Sequence, residues 1–445
     1  MSTSALSPSL PLEISTIPSE PEWLSAARRV ELARFSKLGL PSVKEEDWRF
    51  TNLKPLAELS LQPASGPVTE DIEAGVLTQL PLANVHGSKL VFINGHFSPE
   101  VSSIAPQAEG VRIVSLAVAL IRRPELVEKY LLRSLRVHDT SFASLNAALF
   151  LDGAFVYVPE GTSVSEPVHV IHIFAGDGAE RASHPRNLIV AERGSRLTII
   201  ESYAGSIPEK YFTNAVTELV AGDEAGVEYL KFQDETRDCF HLATVAVSLG
   251  RSSKVRLHSM AFGSKLSRTN FHTTLAGEGA ECLLNGLYLV DGEQLADHYM
   301  IVDHAVPHGT SHEYFNGILA EKARGVFHGR IIVEPDAQKT DAKQTNKNLL
   351  LSDDATIDTK PQLEIYADDV KCTHGATVGQ LSDEAVFYLR SRGIPREKAR
   401  QILIHAFAGE IIDRIHCDAL RQEMNERVSH CLEQNHFTDS THHDR

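Results

Sequence analysis

The chain has 445 residues, 42% of them hydrophobic and 23% charged, enough for a large core or several structural units and ordinary for a globular protein. A formal net charge of −16 argues against a general nucleic-acid-binding surface and against a polybasic membrane anchor, and no apolar run is long enough to span a bilayer. Five scattered cysteines (Cys239, Cys282, Cys372, Cys417, Cys431) form no CxxC pair; they suit a reducing compartment and argue against a complete internal four-cysteine zinc or iron–sulfur site.

Residues 1–21 are Ser/Pro-rich and lack a basic stretch followed by an apolar one, so they read as a disordered lead-in rather than a signal peptide. A helix is expected next. Ser19 and Glu22 have capping-box spacing, Pro21 suits an early helical position, and Trp23, Ala26, Ala27, Val30, Phe35 and Leu38 give an apolar stripe that Gly39 and Pro41 end. After Glu46-Asp47-Trp48-Arg49-Phe50-Thr51, residues 61–84 read as a linking loop, 89–97 as a strand and turn, and 114–135 as helix with a break at Pro124.

From about Gly153 the pattern changes to short strand-like runs at 155–158, 168–174, 187–190, 197–201, 215–220, 227–232, 243–249, 255–258, 282–290, 326–333 and 363–367. Turns recur at intervals of about 25–30 residues, with almost no helical pattern between them. A β-sandwich or barrel and a parallel β-helix both fit. The coil-like period favours the β-helix, although Asn-Gly pairs at 94–95, 285–286 and 316–317 leave hairpins open. Helix returns at Ser382, a good N-cap followed by Asp383 and Glu384. Gly393 closes that helix and Pro395 opens another, whose apolar face of Ala399, Ile402, Leu403, Ala406 and Phe407 is continued by Ile411 and Ile415. That face must pack on the end of the core or dock another protein. The expected organisation is a mainly helical region (1–147), a β-helix core (148–378) and a C-terminal helical region with a disordered polar tail (379–445).

Chemistry concentrates at Cys372 and His374. Two apart in an extended strand, they share a face with Cα atoms roughly 6–7 Å apart. Sulfur beside imidazole suits iron, zinc, copper or transferable sulfur, but two ligands leave a tetrahedral site half made. Lys371 and a protonated His374 are expected to favour the Cys372 thiolate. A second grouping, His298, His304, His308 and His312 with Asp297 and Asp303, offers either a metal cluster or a row of hydrogen-bonded imidazoles. Pro307 and Gly309 interrupt it, and its spacing matches no HExxH helix. No GxxxxGK[ST], GxGxxG or GxSxG motif is present. Acidic pairs such as Asp353-Asp354 read as solvated turns.

The stretch from Asp358 to Thr377, with Ala367-Asp-Asp-Val-Lys-Cys-Thr-His-Gly-Ala-Thr377 at its centre, resembles the signature of the SufB/SufD family of iron–sulfur cluster assembly proteins. So do Phe387-Tyr-Leu-Arg-Ser-Arg-Gly-Ile394, Glu46-Asp-Trp-Arg-Phe-Thr51 and Leu90-Val-Phe-Ile-Asn-Gly-His-Phe-Ser-Pro99. Gly375 is similar to the SufD branch; SufB typically reads Cys-x-His-Glu there. The resemblance covers roughly residues 46–415 and implies a right-handed parallel β-helix with helical N- and C-terminal regions. It implies a non-catalytic cytoplasmic scaffold, paired with SufB through the β-helix in a complex that also holds two copies of the ATPase SufC, with SufC docking at the C-terminal helices and a homodimer open to the isolated chain. A transient iron–sulfur cluster would form at the shared interface, with Cys372 and His374 contributing and no cofactor held tightly by one chain. The alternatives are a SufB-type scaffold, which Gly375 disfavours, a cupin-like metalloenzyme built on the histidine grouping, and an exported β-helix enzyme, which would need a signal.

Overall fold

Strands from Ala154 to Gly379 alternate between two parallel sheets, so that each coil of chain adds one strand to each sheet. The computed structural model describes residues 12–433 apart from 16, 65, 67–81, 83, 134–139, 176–177 and 206–208, together with residue 437. Residues 1–11 of the expected lead-in, most of the expected linking loop and nearly all of the polar tail therefore lie outside the described residues.

The coils stack in strict register. Phe240 pairs with Leu266, Leu266 with Leu295, Leu295 with Arg324 and Arg324 with Thr356, giving coil lengths of 26, 29, 29 and 32 residues. Such stacking is a parallel β-helix, in which like positions of successive coils lie about 4.8 Å apart. Between the sheets runs one continuous core that includes Val245, Phe271, Met300 and Phe327 from one sheet and Val227, Leu257, Leu284 and Phe315 from the other. Each coil turns the same corner on one left-handed residue: Gly194, Glu224, Ser252, Gly279, His308 and Lys339 all have φ between 54° and 71°. Their N–H groups donate to the carbonyls of Asp223, Arg251, Glu278, Pro307, Gln338 and Asp369 on the next coil, so the corners are stitched as well as the strands.

Four of the ten-residue strands escape the hydropathy pattern: Leu266–Leu275, Leu295–His304, Thr310–Leu319 and Asp341–Leu350. They carry buried polar side chains (Asn270, Asp297, His298, Asn316, Gln344, Asn346, Asn348) that stacking holds in place, and this erases the apolar/polar alternation. The Asn285-Gly286 and Asn316-Gly317 pairs are strand interiors, not hairpin turns. A Cβ on Gly286 would stand 2.0 Å from the Phe315 ring, and one on Gly317 2.3 Å from the Tyr288 ring. Each glycine makes room for the aromatic ring of the adjacent coil. Asn94-Gly95 does link a short antiparallel pair, Ser88–Ile93 with His96–Phe97.

The first helix is Glu22–Leu38 and ends at Gly39, whose N–H donates to the Phe35 carbonyl. The expected capping box does not form. Pro21 is the N-cap, and Ser19 sits in a left-handed turn. The buried face is Leu24, Arg28 and Phe35, leaving Val30 and Leu38 exposed. Arg28 turns the helix inward: its guanidinium donates to the carbonyls of Ala148 and Phe150 and pairs with Glu20 at 2.9 Å. The partner helix, Ser141–Leu149, is buried along its whole length. Helices Leu116–Arg122 and Pro124–Tyr130 flank the break at Pro124.

At the other end, Ser382 caps helix Asp383–Arg390 by accepting from the Ala385 N–H. Helix Arg396–Ile412 follows Pro395, and a further helix, Asp418–Glu433, comes after it. Ile404, Ala408, Ile411, Ile412, Leu420, Met424 and Val428 join Leu230, Leu287 and Ile318 in one cluster. The last two helices are thus seated on the outer face of the sheet that ends in Lys371–Gly379.

Candidate functional site

Lys371–Gly379 pairs on one side with Asp341–Leu350 and is the last strand of its sheet. The other sheet ends in Thr356–Ile365, where Pro361, lacking an N–H, is tolerated because the strand is an edge. The β-helix therefore finishes on two adjacent edge strands, each with a row of backbone groups able to pair with another chain.

The ladder fixes which way the candidate residues face. Cys372 continues the column Leu197, Val227, Val255, Cys282, Ser311, Ala342, whose apolar members line the core. His374 continues the neighbouring column Ile199, Tyr229, Leu257, Leu284, Glu313, Gln344. Both positions belong to the lumen-facing set, and both arrive at the end of the solenoid, with no further coil above them among the described residues. Cys372 is half-buried against the core and His374 is exposed. Gly375 alternates onto the opposite face of the strand, where a Cβ would meet nothing within 4 Å.

The electrostatics differ from the sequence-based expectation. Burial, with a further contribution from the Asp341 carboxylate, pushes the Cys372 thiol up, against a smaller opposing effect from a hydrogen bond with the Ala342 backbone. In this chain alone Cys372 is a protonated thiol at neutral pH, not a thiolate. The reason is geometric. Lys371 alternates onto the opposite face of the strand, and His374, on the same face as Cys372, is exposed to solvent.

The four histidines of the second grouping are not brought together. His298 faces the lumen and contacts Ser259 Oγ at 3.3 Å, His304 contacts Ser311 Oγ at 2.8 Å, His308 occupies a coil corner, and His312 faces Asp341 at 3.4 Å. Burial lowers His298 to about 3 and His304 to about 4, so both are neutral. Among the described residues no group of three or more His, Cys, Asp or Glu side chains is placed to hold a metal ion. Hydrogen-bonded imidazoles along the coils is the reading that fits.

On helix Arg396–Ile412 the apolar face divides. Ala399 is buried, Phe407 is half-buried against the cluster below and gives its carbonyl to Asn316 Nδ2 at 2.9 Å, Leu403 is half-buried, and Ile402 and Ala406 are exposed. Beside the open end, Ile365, Tyr366, Val378, Phe387 and Tyr388 are exposed on the last strands and the helix that follows them. Sequence reasoning missed these exposed aromatics, because an aromatic at helical spacing normally marks a buried face.

The Glu46–Thr51 motif folds onto the outside of the other sheet. Trp48 lies beneath Phe142 and over the Arg268 guanidinium, 3.9 Å from the ring centre. Arg268 donates to the Asp47 carbonyl at 2.8 Å and to Asp297 at 2.6 Å, and the Thr51 hydroxyl also bonds Asp297. Glu46 pairs with Lys360 on the final strand of that sheet. A short N-terminal segment is thereby fixed to the coils that lead to the open end.

Two family models match the chain. Residues 16–170 match the SufBD protein N-terminal region, and residues 173–407 match the SufBD core domain of SUF system FeS cluster assembly. An iron–sulfur cluster assembly SufBD family protein of Synechocystis is 37% identical over 401 residues, 88% of this chain and 87% of the relative. The iron–sulfur cluster assembly protein SufD of Escherichia coli is 31% identical over 404 residues (90% and 91%), and that of Bacillus subtilis 27% over 415 residues (91% and 93%).

Proposed function

Because the chain belongs to the SufBD family of iron–sulfur cluster assembly proteins, we propose that it is a SufD-type, non-catalytic scaffold subunit that builds its share of a cluster-forming site from Cys372 and His374. The observation that carries this reading is the pair itself: a half-buried thiol and an exposed imidazole on the lumen-facing side of the strand that ends its sheet among the described residues. Two such groups cannot complete the coordination of a metal. The nascent iron–sulfur cluster, the cargo of the reaction, would take its remaining ligands from a partner's β-helix, and SufB is the partner the family resemblance names.

The protonated state of Cys372 supports a shared site. A cation or metal arriving with the partner would lower the thiol's pKa and release the proton, so that sulfur ligation begins only in the complex. His374 would serve as the second ligand or as acceptor of that proton. SufC would dock at the C-terminal helices, where Ile402 and Ala406 are available together with exposed Phe387 and Tyr388. Its ATP-driven dimerisation would strain helices packed on the same sheet that ends in Cys372 and His374. Five unpaired cysteines fit a cytoplasmic setting.

His374→Ala tests the assignment. The variant should fold and bind SufB and SufC as the native chain does, while cluster build-up in the reconstituted complex falls to background. A normal cluster yield from that complex refutes it. Removing the residues after Leu381 should abolish capture by SufC and leave capture by SufB.

A further inference from the structure

The column beneath His374 changes character as it approaches the open end. Its earlier members, Ile199, Tyr229, Leu257 and Leu284, belong to the apolar core; its later ones are Glu313 and Gln344, which are 0% and 1% exposed. A polar cap at the end of a solenoid would explain the outermost position. It does not explain a carboxyl group two coils inside.

Glu313 has no ion-pair partner among the described residues. Gln344 Nε2 donates to its Oε2 at 2.8 Å, and the Cys282 thiol of the preceding coil, on which Glu313 acts, is itself held neutral chiefly by burial. Burial raises Glu313 to about 8. At neutral pH it is a carboxylic acid, and its proton needs an acceptor. Glu313 Oε1 and Gln344 Oε1 are both buried without a partner when the carboxyl is drawn as an anion. A proton on Glu313 Oε1 donated to Gln344 Oε1 would close a two-bond acid–amide ring and remove both deficits. A second observation points the same way. On the facing sheet stands Gly329, where a Cβ would lie 2.1 Å from Gln344 Nε2 and 2.6 Å from its Cδ. The amide therefore crosses the lumen and seats against the opposite wall in space that a side chain would fill.

We propose that Glu313 and Gln344 are positioning residues of the Cys372–His374 site, a neutral acid–amide clamp that bonds the two coils beneath the strand bearing both groups and packs against Gly329 of the facing sheet. The inference rests on the scaffold reading for its purpose, but the clamp itself is a property of the isolated chain. Any opening that hydrates Glu313 lets it ionise, so opening becomes easier as pH rises between the free carboxylate's value and about 8, up to tenfold per pH unit.

Amide hydrogen exchange on the intact chain tests this, with rates corrected for intrinsic base catalysis. Across Asp341–Leu350 and Lys371–Gly379, native protection should fall ten- to hundredfold from pH 6 to pH 8. Glu313→Gln supplies an N–H where the acid supplied an O–H; its protection should match the native chain at pH 6 and stay flat to pH 8. Gly329→Ala, which displaces the Gln344 amide, should lower protection at both pH values and speed alkylation of Cys372. A Glu313→Gln chain that keeps the native pH dependence, or that loses protection at pH 6, overturns the clamp. So does a Gly329→Ala chain with native protection. Because no partner or cluster enters these measurements, they can fail while the His374→Ala test succeeds, and the reverse.

Discussion

Asp297→Ala should release the N-terminal segment from the β-helix. Arg268 and Asp297 are 2% and 0% exposed, and their 2.6 Å contact is the only ion pair that reaches Arg268 among the described residues. Removing the carboxylate leaves a buried guanidinium without its countercharge, a change that costs about 3–5 kcal/mol. Arg268 keeps neutral acceptors at Asn270 Oδ1 (2.9 Å) and the Asp47 carbonyl (2.8 Å) and the face of Trp48, so the lower end of that range, about 3 kcal/mol, is expected. The Thr51 hydroxyl also loses its acceptor. Hydrogen exchange across residues 46–51 should then show protection lowered by about two orders of magnitude, since 1.4 kcal/mol corresponds to a factor of ten. Asp297→Asn keeps an acceptor without the charge and should lose roughly half as much. Raising the salt to 1 M should leave the difference intact, because counterions do not screen a pair closed off from water. A loss under about 1 kcal/mol for Asp297→Ala, with the segment still protected, would mean that the motif is held by its apolar contacts alone.

Two further outcomes follow from the core and the edge. Gly286→Ala should destabilise the chain by about 1–3 kcal/mol, because its Cβ would meet the Phe315 ring at 2.0 Å, and Phe315→Leu in the same chain should recover part of that loss in a double-mutant cycle on urea unfolding. Simple additivity would show that the two coils do not interlock there. Cys372 in the isolated chain should react with iodoacetamide more slowly at pH 8 than an unhindered small thiol, with a rate still climbing above pH 9, read by peptide mass spectrometry. A rate equal to the free thiol's would contradict the burial effect.

Much of the candidate site could be read before folding. Cys372 and His374 are two residues apart in a stretch too polar for a buried helix, and the period of two puts them on one face whatever the neighbours are. The coil repeat was visible as well, since corners recur with the chain length needed to go once round. What misled was chemistry that depends on neighbours distant in sequence. The thiolate expectation took Lys371 as adjacent because it is next in the chain, whereas the strand turns it to the other face. The histidine grouping looked dense along the chain, yet the coil sends its members to the lumen, a corner and the outer face.

Local sequence sufficed where a rule acts within a few residues: the Ser382 cap, the breaks at Pro124 and Pro395, the stop at Gly39, and the alternation through Lys371–Gly379. Stacking decided the rest. Gln344, Asn346 and Asn348 form a strand because the coils on both sides supply a ladder. Gly286 and Gly317 are strand interiors because rings from adjacent coils fill their places. Glu313 stays neutral because four layers of apolar side chains precede it in its column. Backbone geometry and capping are short-range forces that any heptapeptide carries with it; burial, countercharge and close packing exist only once residues about thirty apart have been laid on top of one another.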